Sequence, residues 1–427
     1  MIIKLPYGDT GLTVSIPDRN LEAVLSPNRV QLPEDENRLI ESALDEPVGT
    51  PPLEDLLAAK KERIIKNKLC IAVEDLTRSA PADRVLPRLL EKLNRAGVTD
   101  DRVFGIMALG THRYMTEEEI RCKVGAEAFK RIPFYNSQFK NPAGLTDFGA
   151  DERIPLRFDT RFVDAGFRIT LGSIVPHPIG WSGGAKTVVP GVTGSDTVAA
   201  FHLILAQFEK NEFGTVITPA RRLIEGWVGR LGLDFSINCI TTPEKKLYRV
   251  VAGDFIQAQR QGVVFGKEVY GVRARKRTDL VITNSYPAEI DFWQAQKAFN
   301  SGEILTRPGG EVVLLTPCPE GIGPHPDLPE LYERARRDPQ KLLKLALAGK
   351  VSDPISASSG LSKAIAVLPH IRAGIICDTI AESAARKFGF TKYASVEELI
   401  ERKIRENQDI TITVITHGGY LCPLLDS

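Results

Sequence analysis

The sequence predicts an α/β protein with two α/β domains, each built on a Rossmann-like parallel sheet. Short apolar runs alternate with segments of helical periodicity along most of the chain. These runs fall into two blocks, separated by a connection at 265–276 that contains Gly and Arg. A chain of 427 residues is also longer than one hydrophobic core usually supports. The predicted domains are 1–270, joined by the returning segment 400–427, and 277–395.

The first block contains the elements of the predicted N-terminal domain. Apolar runs followed by polar loops indicate buried strands, and longer amphipathic segments indicate helices. Thr116 is an expected N-cap, because three glutamates at 117–119 fill the first helical turn, where acidic groups stabilise the positive end of the helix dipole. The predicted elements are a hairpin over 2–17, strands over 69–73, 103–109 and 167–175, and helices over 82–96 and 195–207.

The second block repeats the same alternation. Segment 319–329, which contains His325, is rich in proline and is expected to be a loop. His325, His370 and His417 lie outside the motifs below and are interpreted as structural or surface residues. The predicted elements are strands over 279–283, 311–316, 373–377 and 410–416, and helices over 292–299, 361–367 and 396–406.

Composition excludes several classes of function. The formal net charge of +1 gives no electrostatic basis for binding nucleic acid or an anionic membrane. Six cysteines are scattered without a CxxC pair, which argues against a disulfide scaffold or a structural zinc site. The sequence has no apolar run of membrane-spanning length and no signal-peptide core. We therefore expect a cytoplasmic protein.

Three of the six histidines lie in or beside segments punctuated by Gly and Pro. His112 follows a predicted strand, His177 lies between two prolines at the end of another, and His202 lies on a predicted helix. Ligands bind at the carboxyl edge of open α/β sheets, and histidine suits proton transfer and metal binding near neutral pH. Taken singly, His112 also fits an ordinary loop histidine, His177 a rigid surface turn and His202 a buried structural residue.

Segment 180–187 nearly matches the phosphate-binding pattern G-x-x-x-x-G-K-[ST], but Ala185 replaces the second glycine. A phosphate-binding loop also needs a helix directly after its lysine, and Pro190 with Gly191 opposes one here. A nucleotide triphosphatase is therefore disfavoured. The glycines would still let backbone approach a ligand and leave Lys186 unobstructed, although a plain surface turn is the alternative.

Segment 75–78 places an acid, a hydroxyl and a guanidinium directly after a predicted strand. Arg78 offers a planar fork to a carboxylate or phosphate, which suits an anionic ligand. The alternative is a helix-capping Asp75 with a surface arginine.

Taken together, these segments resemble the nickel-pincer lactate racemase family. The resemblance spans nearly the whole chain, and 182–186 is its most specific part. It implies two α/β domains with the active site in the cleft between them. The matching segments are Asp75-Leu76-Thr77-Arg78, Gly110-Thr111-His112-Arg113 with Met115-Thr116, Pro176-His177, Ser182-Gly183-Gly184-Ala185-Lys186 through Pro190-Gly191, and His202.

The resemblance also implies a cofactor and roles for individual residues. The cofactor is a nickel-pincer nucleotide, a pyridinium thioamide/thiocarboxylate mononucleotide carrying nickel, which would be tethered at Lys186. His202 would be the metal ligand, and His112 and His177 the catalytic acid/base pair. Further cofactor-binding residues would be Asp75, Thr77, Ser182, Gly183 and Gly184. Substrate-binding residues would be Arg78, Trp293, Gln294 and Lys297.

The implied activity is racemisation or epimerisation of a small 2-hydroxy acid by reversible hydride transfer, which avoids a strongly disfavoured carbanion beside the carboxylate. Trp293 replaces a usual tyrosine, and His177 lies one residue closer to Lys186 than in the lactate enzymes. The substrate could therefore be lactate, malate, an aryl-lactate or a sugar acid. Separate cofactor-biosynthesis enzymes would be required partners.

Two alternatives remain open. One is an NAD-dependent 2-hydroxyacid dehydrogenase, which is disfavoured because no G-x-G-x-x-G follows a predicted strand. The other is a non-catalytic protein that binds a nucleotide or a hydroxy acid.

Overall fold

The computed structural model describes residues 1–151, 154–208 and 211–426. Within these residues, two six-stranded sheets carry the architecture. The strands are β1 Ile2–Leu5, β2 Leu12–Ser15, β3 Leu21–Leu25, β4 Leu69–Glu74, β5 Val103–Ala108, β6 Phe134–Asn136, β7 Leu145–Asp151, β8 Ile154–Asp159, β9 Phe167–Ser173, β10 Pro176–His177, β11 Gly180–Trp181, β12 Phe235–Thr241, β13 Leu247–Gly253, β14 Gly271–Ala274, β15 Thr278–Asn284, β16 Thr306–Leu315, β17 Arg372–Ile376, β18 Phe390–Lys392, β19 Ile412–Ile415 and β20 Cys422–Leu425.

Helices cover both sheets. They are α1 Glu36–Asp45, α2 Leu53–Ala59, α3 Lys61–Asn67, α4 Ala82–Arg95, α5 Glu117–Val124, α6 Ala126–Arg131, α7 Thr160–Asp164, α8 Ser195–Leu205, α9 Pro219–Leu231, α10 Gln257–Tyr270, α11 Phe292–Ala295, α12 Ala298–Leu305, α13 Leu328–Arg337, α14 Pro339–Leu347, α15 Pro354–Ser362, α16 Glu382–Phe388 and α17 Val396–Glu406. A 3-10 turn spans Gly184–Thr187, and a π-helical segment spans Lys363–Val367.

The first sheet has the strand order β13-β12-β9-β4-β5-β6, and all its neighbours are parallel except β12 and β13. Alternate residues of β4 enter different cores. Ile71 packs into the cluster under α1 and α4, and Ala72 packs into the cluster under α9. Burial on both faces explains why β4 is a continuous apolar run in the sequence.

The second sheet is parallel throughout, with the order β18-β17-β16-β15-β19-β3. Its central strand β15 is also covered on both faces, because Val281 and Ile282 lie in different apolar clusters. The predicted fold class, α/β with parallel sheets, is confirmed.

Strand pairing departs from the predicted domain division in two places. β3 was expected within 1–270 and β19 within the segment returning to the N-terminal domain, yet the two strands pair with each other in the second sheet. The N-terminal hairpin β1–β2 packs into a core of that sheet through Ile3 and Val14. Contacts between segments that are far apart in the sequence place these strands in the second sheet. Local sequence patterns do not predict such contacts.

Most predicted elements are present, with two local corrections. The expected connection at 265–276 is the end of α10 followed by β14, which pairs in parallel with β20 near the carboxyl terminus. The expected helix over 361–367 is the end of α15 and the π-helical segment Lys363–Val367. The N-cap at Thr116 is confirmed as a capping box with Glu119. No α-helix follows Lys186 directly, which agrees with rejection of the phosphate-binding loop.

None of the helices in the described parts of the chain is long and apolar enough to cross a membrane.

Candidate active site

A cavity of about 280 Å³ lies at the carboxyl ends of strands from both sheets. In the first sheet, β4 lies between β5 and β9, and the segments following all three strands line the cavity. In the second sheet, β15 lies between β16 and β19, and the segment after β15 lines the opposite side. Both positions are points where strand order reverses, which is where open α/β sheets bind ligands.

The structure brings most of the predicted site residues to this one cavity. Thr77, Gly184 and Gln294 do not line it, but Thr77 and Gln294 contact residues that do. Gly184 packs behind the wall, and its backbone N–H donates to Asn238 Oδ1 at 2.8 Å. The predicted residues that line the cavity are Asp75, Arg78, His112, His177, Ser182, Gly183, Lys186, His202, Trp293 and Lys297.

A chain of hydrogen bonds orients His112. Arg78 donates to the Thr77 hydroxyl at 2.8 Å, and that hydroxyl donates to Asp75 Oδ1 at 2.6 Å. The other oxygen of Asp75 is hydrogen-bonded to His112 Nδ1. Despite burial, the positive charges of His112 and Arg78 and these hydrogen bonds hold the pKa of Asp75 well below its usual range. An ionised Asp75 requires the proton of neutral His112 on Nδ1, so Nε2 carries the free lone pair.

His177 has the opposite arrangement. It belongs to the short hairpin β10–β11, and its Nδ1 accepts the backbone N–H of Ile179 at 3.3 Å. The proton of neutral His177 therefore lies on Nε2. Desolvation and the positive charges of Lys186 and Lys297 lower the pKa of His177 well below its usual value. His112 thus presents an acceptor, whereas His177 presents a donor.

Lys186 lies on the 3-10 turn that follows Gly183. Buried Arg221 anchors this turn by donating to the carbonyl oxygens of Gly183 at 3.0 Å and Ser182 at 3.3 Å. Desolvation, together with Arg78 and Arg221, lowers the pKa of Lys186 to about 7. Among the described residues, no carboxylate oxygen lies within 4 Å of its amine. A large fraction of Lys186 is therefore a neutral, nucleophilic amine near pH 7.

His202 lies on α8, one turn after Val198, whose carbonyl oxygen is 2.7 Å from His202 Nδ1. This contact requires the proton on Nδ1 and leaves the lone pair of Nε2 free. Desolvation lowers the pKa of His202 to about 4, with Lys186 and His112 adding to that effect. A neutral imidazole with a fixed tautomer is the form that binds a metal.

The second sheet contributes the residues around Lys297. Gln294 accepts a hydrogen bond from Lys297 and lies 3.5 Å from His112 Nε2 through its amide nitrogen. Desolvation and the charges of Arg78 and Lys186 lower the pKa of Lys297 well below its usual value. Three basic side chains, those of Arg78, Lys186 and Lys297, therefore surround the cavity near Asp75. The arrangement suits an anionic ligand.

Sequence analysis missed two groups beside the cavity. Buried Glu74 accepts hydrogen bonds from the backbone N–H groups of Ala80 at 2.6 Å and Ser173 at 2.8 Å, which ties the loops after β4 and β9 together. His325 is buried, bonds to Asp353 at 2.8 Å and packs against Trp293 with ring centroids 4.3 Å apart. A carboxylate ending an apolar strand was a usable signal for Glu74. The proline-rich loop gave none for His325.

Comparisons with known proteins find similarity to lactate racemases. A family model described as the lactate racemase N-terminal domain matches residues 7–214. The lactate racemase of Thermoanaerobacterium thermosaccharolyticum is 27% identical over 336 residues, covering 75% of each chain. The lactate racemase of Lactiplantibacillus plantarum is 25% identical over 431 residues, covering 97% of this chain and 98% of the other.

Solved structures agree on the fold. The lactate racemase apoprotein from Thermoanaerobacterium thermosaccharolyticum matches with a TM-score of 0.86 at 22% identity, covering 99% of this chain and all of the other. A protein from Thermotoga maritima matches with a TM-score of 0.63 at 19% identity, covering 88% of this chain and 99% of the other. The amino-terminal half of the chain therefore matches the lactate racemase N-terminal domain family, and similarity to lactate racemases, which are isomerases, extends along nearly the whole chain; this resemblance implies a nickel-dependent cofactor.

Proposed function

We propose that the chain is a racemase or epimerase of a 2-hydroxy acid that works by reversible hydride transfer with a nickel-pincer nucleotide tethered at Lys186. One observation carries this proposal: His112, His177, Lys186 and His202 line the same cavity. A cytoplasmic location and dependence on cofactor-biosynthesis enzymes belong to the same proposal.

The residues present fit such a cofactor. Lys186 offers a buried amine without a carboxylate partner among the described residues, and His202 offers a free Nε2. The described residues contain no group of three or more His, Cys, Asp or Glu side chains that could hold a metal ion. A nickel ion at His202 would therefore need its remaining ligands from a cofactor, and sulfur donors with an imidazole suit nickel.

The basic side chains on both walls would bind the substrate. Arg78 can hold the carboxylate through its planar guanidinium, and Lys297 adds a second positive charge from the opposite sheet. Gln294 lies between Lys297 and His112, so it can fix the hydroxyl group relative to the base. Binding between two walls would also exclude water from the reacting carbon.

The two histidines would handle the hydroxyl proton. The bound cofactor would supply reversible acceptance of the hydride from C2. As the hydroxyl O–H bond breaks and the carbonyl forms, His112 Nε2 accepts the proton of one enantiomer. His177 performs the same task for the other enantiomer, after its ring loses the hydrogen bond from Ile179 and its proton moves from Nε2 to Nδ1. Positioned acid/base groups of this kind contribute about 10²–10⁴-fold to a rate.

A substrate panel tests the proposal directly. Protein co-produced with the cofactor-biosynthesis enzymes is incubated with single isomers of lactate, malate, phenyllactate and gluconate, and products are separated on a chiral column. We expect inversion at C2 for at least one acid and none with protein made without those enzymes. A loaded protein that inverts no 2-hydroxy acid would overturn the proposal.

Replacing Asp75 with asparagine is expected to move the acidic limb of the kcat/KM profile to lower pH. Burial lowers the pKa of His112 and Asp75 raises it, so removing the carboxylate lowers this pKa further. Neutral His112 is the active base, and it then persists to lower pH. The maximum should fall about 10²–10⁴-fold because the ring is no longer held in one tautomer.

The matched control is Thr77→Val, which keeps the Asp75 charge and removes one hydrogen bond to it. It should leave the limb near its original position. A limb that stays fixed or moves to higher pH in Asp75→Asn would remove Asp75 from this role.

Replacing His202 with alanine is expected to remove nickel while preserving the covalent adduct at Lys186. Alanine lacks the imidazole Nε2 that would bind the nickel ion. The proposed tether, Lys186, lies on the 3-10 turn and not on α8, so the adduct should form in the variant. Metal content by plasma mass spectrometry and intact mass report the two properties separately. His417→Gln, a change away from the cavity, should retain both. Nickel retained in His202→Ala would exclude His202 as the ligand.

A further inference from the structure

One end of the cavity is lined by polar side chains that the proposed chemistry does not use. They come from α12, from α15 and from the π-helical segment Lys363–Val367, all in the part of the chain that follows β15. The residues that matter are Asn300, Glu303, Ser362 and Lys363. Short π-helical segments are rare and frequently lie at functional sites.

Lys363 is a largely buried residue that lines the cavity. Its side chain is 7% exposed, and no described residue accepts a hydrogen bond from its amine or places a carboxylate oxygen within 4 Å. The amine lies 5.7 Å from the centre of the Phe299 ring. Burial lowers the pKa of Lys363, and the negative charge of Glu303 opposes this effect. The amine is not among the fully enclosed polar atoms that lack a hydrogen-bond partner, so it reaches the cavity, where a ligand can accept hydrogen bonds from it.

Three side chains, that of the α12 N-cap Lys297 and two within α12, lead from the proposed substrate site towards Lys363. Lys297, Asn300 and Glu303 follow one another at intervals of three residues, which places them on one face of the helix, and all three line the cavity. The axial distance from Lys297 to Glu303 is about 9 Å at 1.5 Å per residue. The single methyl group of lactate cannot cover that distance from a carboxylate held near Lys297.

The polar groups at this end include donors and acceptors. Lys363 only donates. Glu303 accepts from Asn211 at 3.0 Å through one oxygen, and burial raises the pKa of Glu303. The hydroxyl of Ser362 forms no hydrogen bond with any described residue. A hydroxyl group can accept from a lysine and donate to a carboxylate at the same time. A second carboxylate would meet Lys363 favourably but would be repelled by Glu303.

We propose that this end of the cavity is a subsite for the hydroxylated side chain of a sugar acid, with Lys363, Glu303, Asn300 and Ser362 as its binding residues. The inference rests on the proposed function, since it concerns the substrate of the same site. It assigns the chain to 2-epimerisation of polyhydroxylated acids in preference to racemisation of lactate.

A series of substrates of increasing length tests the subsite. Cofactor-loaded protein is assayed with single isomers of lactate, glycerate, threonate and gluconate, with malate as the dicarboxylate. We expect kcat/KM to rise along the first four and to be about 10–100-fold higher for gluconate than for lactate, the range expected for hydrogen bonds to charged groups. Lys363→Met should remove most of that preference. Exposed Lys344→Met on α14 is the matched control and should leave it unchanged.

Other results of these assays distinguish a wrong subsite from a wrong proposed function. A preference for malate, or a gluconate-to-lactate ratio that Lys363→Met does not change, would overturn the subsite. Loss of the covalent adduct in Lys363→Met would overturn it as well, because Lys363 would then belong to the cofactor site. If Lys363→Met does not fold, Ser362→Ala tests the subsite instead. This variant is expected to lower the gluconate-to-lactate ratio of kcat/KM by about 2–10-fold. Loaded wild-type protein that inverts none of these acids would instead overturn the proposed function.

Discussion

Replacing Lys186 with alanine is expected to abolish the covalent adduct and reduce racemase or epimerase activity to background. The amine of Lys186 has a pKa of about 7, so at neutral pH much of it is unprotonated and able to bond to an acyl-type carbon. An ordinary lysine, with a pKa near 10.4, has roughly one amine in a thousand or fewer in that form at pH 7. Intact mass of protein co-produced with the cofactor-biosynthesis enzymes measures the adduct, and chiral separation measures activity.

The control for this change is Lys297→Met. Lys297 is also a desolvated lysine on the cavity wall, and its pKa is also lowered. Its replacement should keep the adduct while raising KM, because its proposed role is to bind the substrate. Lys186→Arg, which keeps a long basic side chain but lacks a nucleophilic amine, should behave like Lys186→Ala. An adduct that persists in Lys186→Ala would place the tether elsewhere.

Local sequence patterns predicted the elements that are buried on both faces. β4 and β5 are nearly continuous apolar runs because helices cover both sides of the first sheet. The pairing of β3 with β19 was not predictable in this way. These strands lie at opposite ends of the chain, and only tertiary hydrogen bonding brings them to one sheet. Domain boundaries are therefore the feature of this fold that local sequence patterns predict least well.

The site was partly predictable for a related reason. Residues that follow parallel strands gather at one edge, so Asp75, His112 and His177 could be expected near one another. Which ring nitrogen each histidine presents depends on contacts that spacing does not show, such as the carboxylate beside His112 and the backbone N–H beside His177. Lys363 gave no signal either, because a lysine in a helical segment is usually an exposed residue.

Changes at His112 and His177, the proposed acid/base pair, are expected to separate the two halves of the reaction. If each imidazole serves one enantiomer, His112→Ala should lose oxidation of one enantiomer to the 2-keto acid and retain oxidation of the other. His177→Ala should show the reverse preference. The affected half-reaction should slow about 10²–10⁴-fold. The measurement is a single-turnover experiment from each pure enantiomer, with the keto acid trapped by a hydrazine reagent. Both variants should keep the Lys186 adduct, which shows that the cofactor is installed.

The two half-reactions should also differ in the unmodified enzyme. His112 already presents the lone pair of Nε2, with only a 3.5 Å contact to the Gln294 amide, because Asp75 holds the proton on Nδ1. His177 must first lose the hydrogen bond from the N–H of Ile179 and move its ring proton from Nε2 to Nδ1 before Nε2 can accept a proton. Oxidation of the enantiomer served by His112 should therefore be the faster half-reaction in a single turnover. Equal rates from both enantiomers would contradict this assignment of tautomers. Loss of both half-reactions in either variant would contradict the two-base mechanism, because one histidine would then serve both enantiomers.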